Sequence, residues 1–199
     1  MPSRFTPLTF LVLLAACAPR VSAPVPAPVP EPAPAPAPVL PADPSEAEVL
    51  DYIRARQLIV PVAGVGPEKV PDTFGASRGA RRHGALDILA PRGTPVLSAD
   101  DGRVLRVSSN ALGGLTVYAT DPGERLVYYY AHLDRYREGL AAGMRLARGD
   151  TIGFVGTTGN APADTPHLHF QVMLVVPDRK YWNGEPIDPR PYLTANGTH

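Results

Sequence analysis

The chain has 199 residues, with 19 Lys and Arg against 19 Asp and Glu, so its formal net charge is zero. This length holds one domain of ordinary size plus additional segments, and the lack of a basic cluster argues against a nucleic-acid partner and against a membrane surface bound by charge. The single cysteine, Cys17, excludes an internal disulfide and leaves the rest of the chain without thiolate metal ligands or a cysteine nucleophile.

Residues 1–16 are predicted to be a signal peptide. Arg4 supplies a short positive region, and the apolar run LTFLVLLAA follows it. This run has the length of a secretory signal and is too short to span a bilayer as a mature helix.

The apolar run ends in LAAC, which resembles a bacterial lipobox, whose cysteine is lipidated and becomes the mature N-terminus. The resemblance implies lipidation of Cys17 and a durable membrane anchor, because buried acyl chains contribute about 0.8 kcal/mol per CH₂. Ala18 is not the aspartate that is often linked to inner-membrane retention, so we expect the periplasmic face of the outer membrane, within the cell envelope. The alternative is an ordinary signal peptide cut near AACA.

Residues 17–44 are predicted to be a linker that follows the lipidated cysteine. Ten prolines fall between Pro24 and Pro44, mostly alternating with Ala or Val. Proline fixes φ and removes amide donors, which excludes a helix or a central strand. A polyproline II spacer rises about 3.1 Å per residue, so the stretch from Pro24 to Pro44 would reach roughly 65 Å. A ligand for a proline-recognition domain is the alternative, without a basic or aromatic element to support it.

Residues 45–73 are predicted to form a short helix and a lead-in segment. Ser45 and Glu48 match a capping box. Four apolar residues lie on one helical face, namely Val49, Tyr52, Ile53 and Leu58. The pattern predicts a helix over about residues 46–57. Either the segment ARQLIVPVAGVGPEKVPDTF covers the functional groove as an inhibitory segment, or its VPVAGVGP is an edge strand that leads into the fold.

The remaining chain predicts an all-β domain over residues 74–192, followed by a tail over residues 193–199. Short runs rich in Val, Ile, Leu and Tyr are broken by Gly, Pro, Asn and Asp. The runs are ALDIL, PVLSA, GRVLRVSS, GLTVYAT, RLVYYYAHL, TIGFVG and HLHFQVMLV. Runs of this length separated by turns are typical of mainly antiparallel sheets, and no βαβ alternation interrupts them.

Two histidines share one face of a predicted strand. In TPHLHF, strand alternation places His167 and His169 on one side while Leu168 points into the core. Both rings can ligate one metal, or one can ligate while the other serves the reaction. His83 and Asp87 are four residues apart in HGALDIL, which also reads as a strand and puts them on one face. Imidazole nitrogens and a carboxylate oxygen are good donors for Zn²⁺, and three such ligands leave a fourth position for water.

These motifs, in this order and spacing, resemble a LytM-type, or lysostaphin-like, zinc metallopeptidase domain. The matching segments are FGASRGARRHGALDILAPRGTPVLSADDGRV, GGLTVYA, YYYAHL and GDTIGFVGTTGNAPADTPHLHFQV. The resemblance implies a β-sandwich or open barrel that binds one Zn²⁺. It implies that His83, Asp87 and His169 are the zinc ligands. It also implies that His132 and His167 flank the metal as catalytic residues, which orient water and exchange protons.

The family resemblance implies a function in the cell envelope. The expected activity is that of an endopeptidase that cuts stem or cross-link peptides of peptidoglycan, with a D-alanyl–diaminopimelate cross-link as the expected bond. The alternative is a non-catalytic LytM-type domain that activates a partner cell-wall amidase, and a third reading is a zinc-stabilised lipoprotein without turnover. Because all five expected positions are retained, the sequence favours the enzyme over the activator. We expect it to be a monomer, with peptidoglycan and other cell-wall hydrolases as its partners.

Two further segments have open readings. If RLVYYYAHL is a regular strand, Tyr128 and Tyr130 share a face with His132. One of these tyrosines could then form a hydrogen bond to the substrate or to a ligand. The favoured interpretation is that they pack in the core. The segment GTTGNAPADTP has no helix or strand pattern and forms either one wall of the cleft or a plain surface loop.

Overall fold

The computed structural model describes residues 39–79 and 81–196. The predicted signal peptide, Cys17 and most of the proline-rich linker lie outside these residues, as does the end of the predicted tail. Within the described ranges, no helix is both long enough and apolar enough to cross a membrane.

The described residues form one α-helix, α1 (Glu46–Arg56), and eleven β-strands. The strands are β1 (Ser77–Arg78), β2 (Arg81–Arg82), β3 (Leu86–Leu89), β4 (Pro95–Leu97), β5 (Gly102–Asn110), β6 (Gly114–Thr120), β7 (Leu126–Tyr136), β8 (Arg145–Leu146), β9 (Thr151–Val155), β10 (His167–Leu174) and β11 (Glu185–Ile187). Short 3₁₀ turns lie at Pro67–Lys69, Tyr181–Asn183 and Arg190–Tyr192.

The strands pair antiparallel. One large sheet has the order β11-β10-β7-β6-β5-β8, with β3 paired to β10 and with β9 joining β4 to β7, while β1 and β2 form a separate hairpin. This confirms the prediction of a mainly antiparallel all-β fold with a short N-terminal helix.

Alternation along β10 separates a core face from a face that is open to the site. Leu168, Phe170 and Val172 are fully buried, and the Phe170 ring lies 5.2 Å from the Tyr130 ring of β7. The residues that alternate with them, His167 and His169 among them, point their side chains the other way. The core therefore fixes which face carries the polar groups, because a strand slipped by one residue would bury the histidines instead.

Helix α1 begins at the predicted capping box. The Ser45 hydroxyl accepts from the Glu48 amide at 3.3 Å, and the Glu48 carboxylate accepts from the Ser45 amide at 2.8 Å. The helix ends at Gln57, whose φ of 50° is left-handed. The capping box and the left-handed C-cap fix the two ends of the helix, and both ends lie within one residue of the predicted ones.

A buried ion pair joins α1 to the β domain. The Arg56 guanidinium donates to both oxygens of Asp100 at 2.7 and 2.8 Å, and the Tyr128 hydroxyl donates to the same carboxylate at 2.7 Å. Arg56 is 7% exposed and Asp100 is 1% exposed. The helix is thus held by charge as well as by its apolar face.

The lead-in segment pairs with the edge of the fold. Val62 forms an antiparallel bridge with Val96 of β4, and Ile59 forms a parallel bridge with Thr194 near the end of the described chain. The Asn196 side chain donates to the carbonyls of Val60 and Val62. This pairing supports the edge-strand reading of the lead-in over residues 59–62.

Replacing Arg56 by alanine should lower the free energy of unfolding by about 3 kcal/mol, because the buried Asp100 carboxylate would lose its bidentate partner and keep the Arg148 guanidinium only at 3.7 Å. Arg54→Ala on the same helix removes an exposed pair with Asp51 and a contact with the Tyr192 ring, whose centroid is 5.7 Å away, which together should cost about 1 kcal/mol. Urea unfolding of the two variants measures the difference, and equal losses would contradict the role given to the buried pair.

Candidate active site

Three side-chain atoms converge at one point of the open face. His83 Nε2 lies 3.1 Å from His169 Nδ1 and 3.2 Å from Asp87 Oδ1, and His169 Nδ1 lies 3.0 Å from the same oxygen. The three atoms form a nearly equilateral triangle. A search of the described residues for His, Cys, Asp and Glu side chains that could hold a metal ion together finds these three.

The triangle fits a zinc ion. With zinc-to-ligand bonds of about 2.0–2.1 Å, two ligand atoms of a tetrahedral site lie about 3.3 Å apart. The edges of 3.0–3.2 Å are close to this value. Two imidazoles and a carboxylate are also the donor chemistry that zinc accepts, and three protein ligands leave the fourth position open.

The tautomer of His83 follows from its other nitrogen. His83 Nδ1 lies 3.0 Å from the main-chain carbonyl of Thr73. Because a carbonyl only accepts, Nδ1 carries the proton, and Nε2 of the neutral ring turns its lone pair to the triangle. Such a contact on the far side of a ligand ring fixes its orientation and raises its basicity.

His132 and His167 are oriented in the same way. His132 Nδ1 lies 2.8 Å from the Thr158 carbonyl, and His167 Nδ1 lies 2.8 Å from the Thr165 carbonyl. Each neutral ring therefore has its lone pair at Nε2. The two ring centroids are 4.9 Å apart, and His167 Nε2 lies 3.8 Å from Asp87 Oδ1.

Strand register brings four of the five predicted residues to one place. On β10, His169 is the Cα partner of Asp87 on β3, and His167 is the partner of Leu89. Directly opposed residues of an antiparallel pair point to the same face, so both histidines stand beside the carboxylate. The fourth, His132, reaches them from β7, where His169 is the partner of Ala131.

The prediction that strand alternation alone aligns His83 with Asp87 is wrong. Strand β3 begins at Leu86, and His83 stands before it in a turn. The turn is set by Gly84, whose φ is +64°, and by the His83 amide, which donates to the Ala76 carbonyl at 2.8 Å. Gly84 has a left-handed backbone conformation, which glycine adopts readily, and this turn brings the His83 side chain to the triangle. Strand alternation does not position it.

His132 occupies a β-bulge. Val117 pairs with Tyr130 and Leu115 pairs with Leu133, so two residues of β7 stand opposite one residue of β6. His132 has a φ of 60°, and its amide donates to the Gly113 carbonyl at 2.7 Å. The bulge turns the imidazole to the site.

Because of the bulge, the expectation that Tyr128 and Tyr130 share a face with His132 is wrong. Tyr128 is 1% exposed and Tyr130 is fully buried, so both pack in the core. The residue between them, Tyr129, faces the site instead, with its ring 5.9 Å from the His169 ring.

Burial and neighbouring rings shift two ionisable groups. Burial alone would raise the pKa of Asp87, but the hydrogen bond with His169 and the nearby His83 and His167 rings lower it below its usual value. Burial lowers the pKa of His132, against the hydrogen bond to Thr158, which raises it. Asp87 is therefore ionised and His132 is neutral near pH 7.

Two supports of the site lie outside the predicted residues. The Thr73 hydroxyl accepts from the Asp87 amide at 2.9 Å and donates to the Ala85 carbonyl at 3.2 Å. Thr158 lies in the segment with two open readings, and besides its bond to His132 its hydroxyl joins the Leu115 amide to the Leu133 carbonyl. This segment is thus a wall of the site, and neither threonine shows a motif that would mark it in the sequence.

The chain belongs to peptidase family M23, whose family model matches residues 81–189. That match covers all five predicted residues and confirms the LytM-type resemblance. The roles of the five residues and the domain boundaries stay predictions.

Named relatives share the same region. The chain is 34% identical over 131 residues to an L-Ala–D-Glu endopeptidase of Bacillus subtilis, a match that covers 62% of this chain and 39% of that protein. It is 35% identical over 94 residues to the peptidoglycan DD-endopeptidase ShyC of Vibrio cholerae, covering 47% of this chain and 21% of that one. The chain therefore spans well under half the length of these relatives.

A solved structure supports the fold. Helicobacter pylori Csd3 superposes with a TM-score of 0.54 at 30% identity, over 70% of this chain and 33% of that one. The strands of this chain therefore have the same arrangement as in a solved structure that is 30% identical to it, in agreement with the family assignment.

Replacing Thr73 by valine should weaken zinc affinity by about 10–100-fold, because the hydroxyl that holds the Asp87 main chain is lost. Thr94→Val removes a comparable hydroxyl contact, to the Pro91 carbonyl, and should leave affinity unchanged. Competition with a chromophoric chelator measures both, and equal affinities in the two variants would contradict the supporting role of Thr73.

Proposed function

We propose that this protein is a zinc-dependent endopeptidase that cleaves peptide bonds in the stem or cross-link peptides of peptidoglycan. The observation that carries the proposal is the triangle of His83, Asp87 and His169 with two further oriented imidazoles beside it. The two bacterial relatives are endopeptidases, which supports the same class of reaction.

In this proposal, His83 Nε2, Asp87 Oδ1 and His169 Nδ1 hold the ion. When bound, zinc would polarise the scissile carbonyl and lower the pKa of a water molecule towards 7. The ionised Asp87 offsets part of the positive charge. The carbonyl of Thr73 keeps the His83 ring from rotating away when the substrate enters.

In this proposal, His132 and His167 carry out the proton transfers. Since Nδ1 of each ring is committed to a carbonyl, each ring accepts a proton only at Nε2. A neutral imidazole there takes a proton from the attacking water, and the imidazolium then donates from the same atom to the leaving amine. The charged form also stabilises negative charge that develops on the carbonyl oxygen.

We propose a cross-link bond between D-alanine and diaminopimelate as the target, on the sequence resemblance and the lipobox. The two relatives differ in the bond that their names give, one L-Ala–D-Glu and one DD. Product masses from defined muropeptides would separate these two bonds directly.

His169→Ala should lose zinc and activity together, because a ligand is removed. His132→Ala should keep zinc and lose about 10²–10⁴-fold in rate, since only proton transfer is impaired. Zinc content and muropeptide cleavage, measured on the same preparations, test both. Zinc loss in His132→Ala would overturn the division of roles, and activity that survives chelation would overturn the metalloenzyme.

Activation of a partner amidase without catalysis is the second candidate. It is less favoured because all five side chains stand together in one site. A zinc-loaded wild-type protein that cleaves no muropeptide but stimulates an amidase would decide for it.

We also propose that the protein is a lipoprotein, anchored through Cys17 on the periplasmic face of the outer membrane. Cys17→Ala should move the protein from the membrane fraction to the soluble fraction, because the acyl anchor is lost. Ala18→Asp should keep the anchor and shift the protein to inner-membrane density on a sucrose gradient. Retention of Cys17→Ala in membranes would exclude the lipid anchor.

A further inference from the structure

A row of side chains crosses the sheet next to the candidate active site. Arg106 on β5 is the Cα partner of Tyr118 on β6, Tyr118 is the partner of Tyr129 on β7, and Tyr129 is the partner of Gln171 on β10. Paired residues share a face, so these four stand side by side over four strands. Gln171 lies two residues after His169, so the row adjoins the metal triangle on the same face.

Aromatic rings continue this row away from the site. The Tyr118 ring lies 4.5 Å from that of Tyr129 and 5.5 Å from that of Tyr181, which in turn lies 4.8 Å from the Trp182 ring. Trp182 is 48% exposed. We call Tyr118, Tyr181 and Trp182, with Arg106 and Asn110 beside them, the aromatic platform.

The platform borders a small open cavity with polar walls. The cavity has a volume of about 160 Å³ and is lined by Arg106, Ser108, Ser109, Asn110, Tyr118 and Trp182. Two aromatic rings beside a guanidinium, an amide and two hydroxyls suit a ligand that has apolar faces and polar edges.

Two contacts hold the platform in place. A Cβ added at Gly113 would clash with the hydroxyl of Tyr129, the ring that packs beside Tyr118, so Tyr129 occupies space that glycine leaves free. The side-chain amide oxygen of Asn110 accepts from the Leu112 and Gly113 amides at 3.0 and 2.7 Å, which fixes this corner of the platform. A preformed surface loses little entropy when it binds a ligand.

We propose that the aromatic platform binds the sugar strand of the substrate, as a subsite for N-acetylated hexosamine units, an inference that rests on the proposed function. The pyranose ring has a face of C–H groups, which packs on an aromatic ring, and its rim carries hydroxyl and amide groups, which bond to Arg106, Asn110 and the serines.

The sheet favours a sugar over a peptide at this place. Strands β7 and β6 have paired neighbours on both sides, and the outer side of β5 is paired with β8 only at Gly102 and Arg103. A ligand that lies on the face of these strands meets their side chains, and not the main-chain amides and carbonyls with which an extended peptide would pair. Side-chain rings and polar groups remain, and these match a flat ring with a polar rim.

The distance from the metal triangle also fits. Two ring-to-ring steps of 5.9 and 4.5 Å lead from His169 through Tyr129 to Tyr118 of the platform. A stem peptide joins the sugar to the bond that is cut, and a peptide of about four residues spans about 14 Å when extended. A sugar on the platform would therefore place its peptide at the triangle.

The platform carries its own probe, because Trp182 is the only tryptophan of the chain. Addition of an N-acetylglucosamine oligomer should change the tryptophan emission and saturate, and a free stem peptide should not. Zinc-free protein should give the same titration, since the subsite is separate from the metal ligands. An emission that the sugar leaves unchanged, or one that the peptide alone changes, would overturn the proposal.

Tyr118→Leu keeps the tryptophan and removes the neighbouring ring, so it should weaken sugar binding at least about tenfold. Tyr192→Leu removes a half-buried ring near α1 and is the matched control, with binding unchanged. Calorimetry measures sugar binding by both variants, and their thermal melting shows whether each is still folded. Equal binding by the two variants would contradict the subsite.

The two proposals can fail separately. A sugar response without cleavage of any muropeptide would overturn the proposed endopeptidase and keep the subsite. Cleavage without a sugar response would overturn the subsite and keep the endopeptidase.

Discussion

Antiparallel pairing between β3 and β10 sets the distance on which the site depends. The pairing makes Asp87 and His169 direct partners, with their donor atoms 3.0 Å apart, and it puts His167 one pleat away. The buried residues of β10 lock this register, because a slip of one position would bring Phe170 to solvent and both histidines into the core. The apolar core thus determines the geometry of a polar site that is built on the same strands, β3, β7 and β10.

Main-chain carbonyls then decide which nitrogen of each ring is available. Two loops supply three carbonyls, Thr73 from the segment before β1 and Thr158 and Thr165 from the loop between β9 and β10, and each contacts an Nδ1 atom. The consequence is chemical, since a ring that is free to exchange tautomers would present a proton where a lone pair is needed. His169 is different, because its Nδ1 itself points to the triangle.

Much of this arrangement could be predicted from the sequence, since it depends on local patterns. The capping box gives the start of α1, the alternation in TPHLHF gives a shared face, and the resemblance gives the set of five residues. The bulge at His132 could not be predicted in this way. It depends on one extra residue opposite β6, and the letters YYYAHL read as a regular strand, which points to Tyr128 and Tyr130 in place of Tyr129. The Thr73 carbonyl has no signature at all, because every residue type has the same carbonyl.

The attachment of residues 40 and 41 has a mechanical consequence. The Arg125 guanidinium donates to the carbonyls of Leu40 and Pro41, at 2.7 and 2.5 Å, from the turn between β6 and β7. A pull on the chain before Val39 would load these hydrogen bonds first and the buried pair of Arg56 and Asp100 next. His132 follows Arg125 by seven residues, about 23 Å at the rise of an extended strand. Tension on the chain before Val39 would therefore be borne at the start of β7, away from His132.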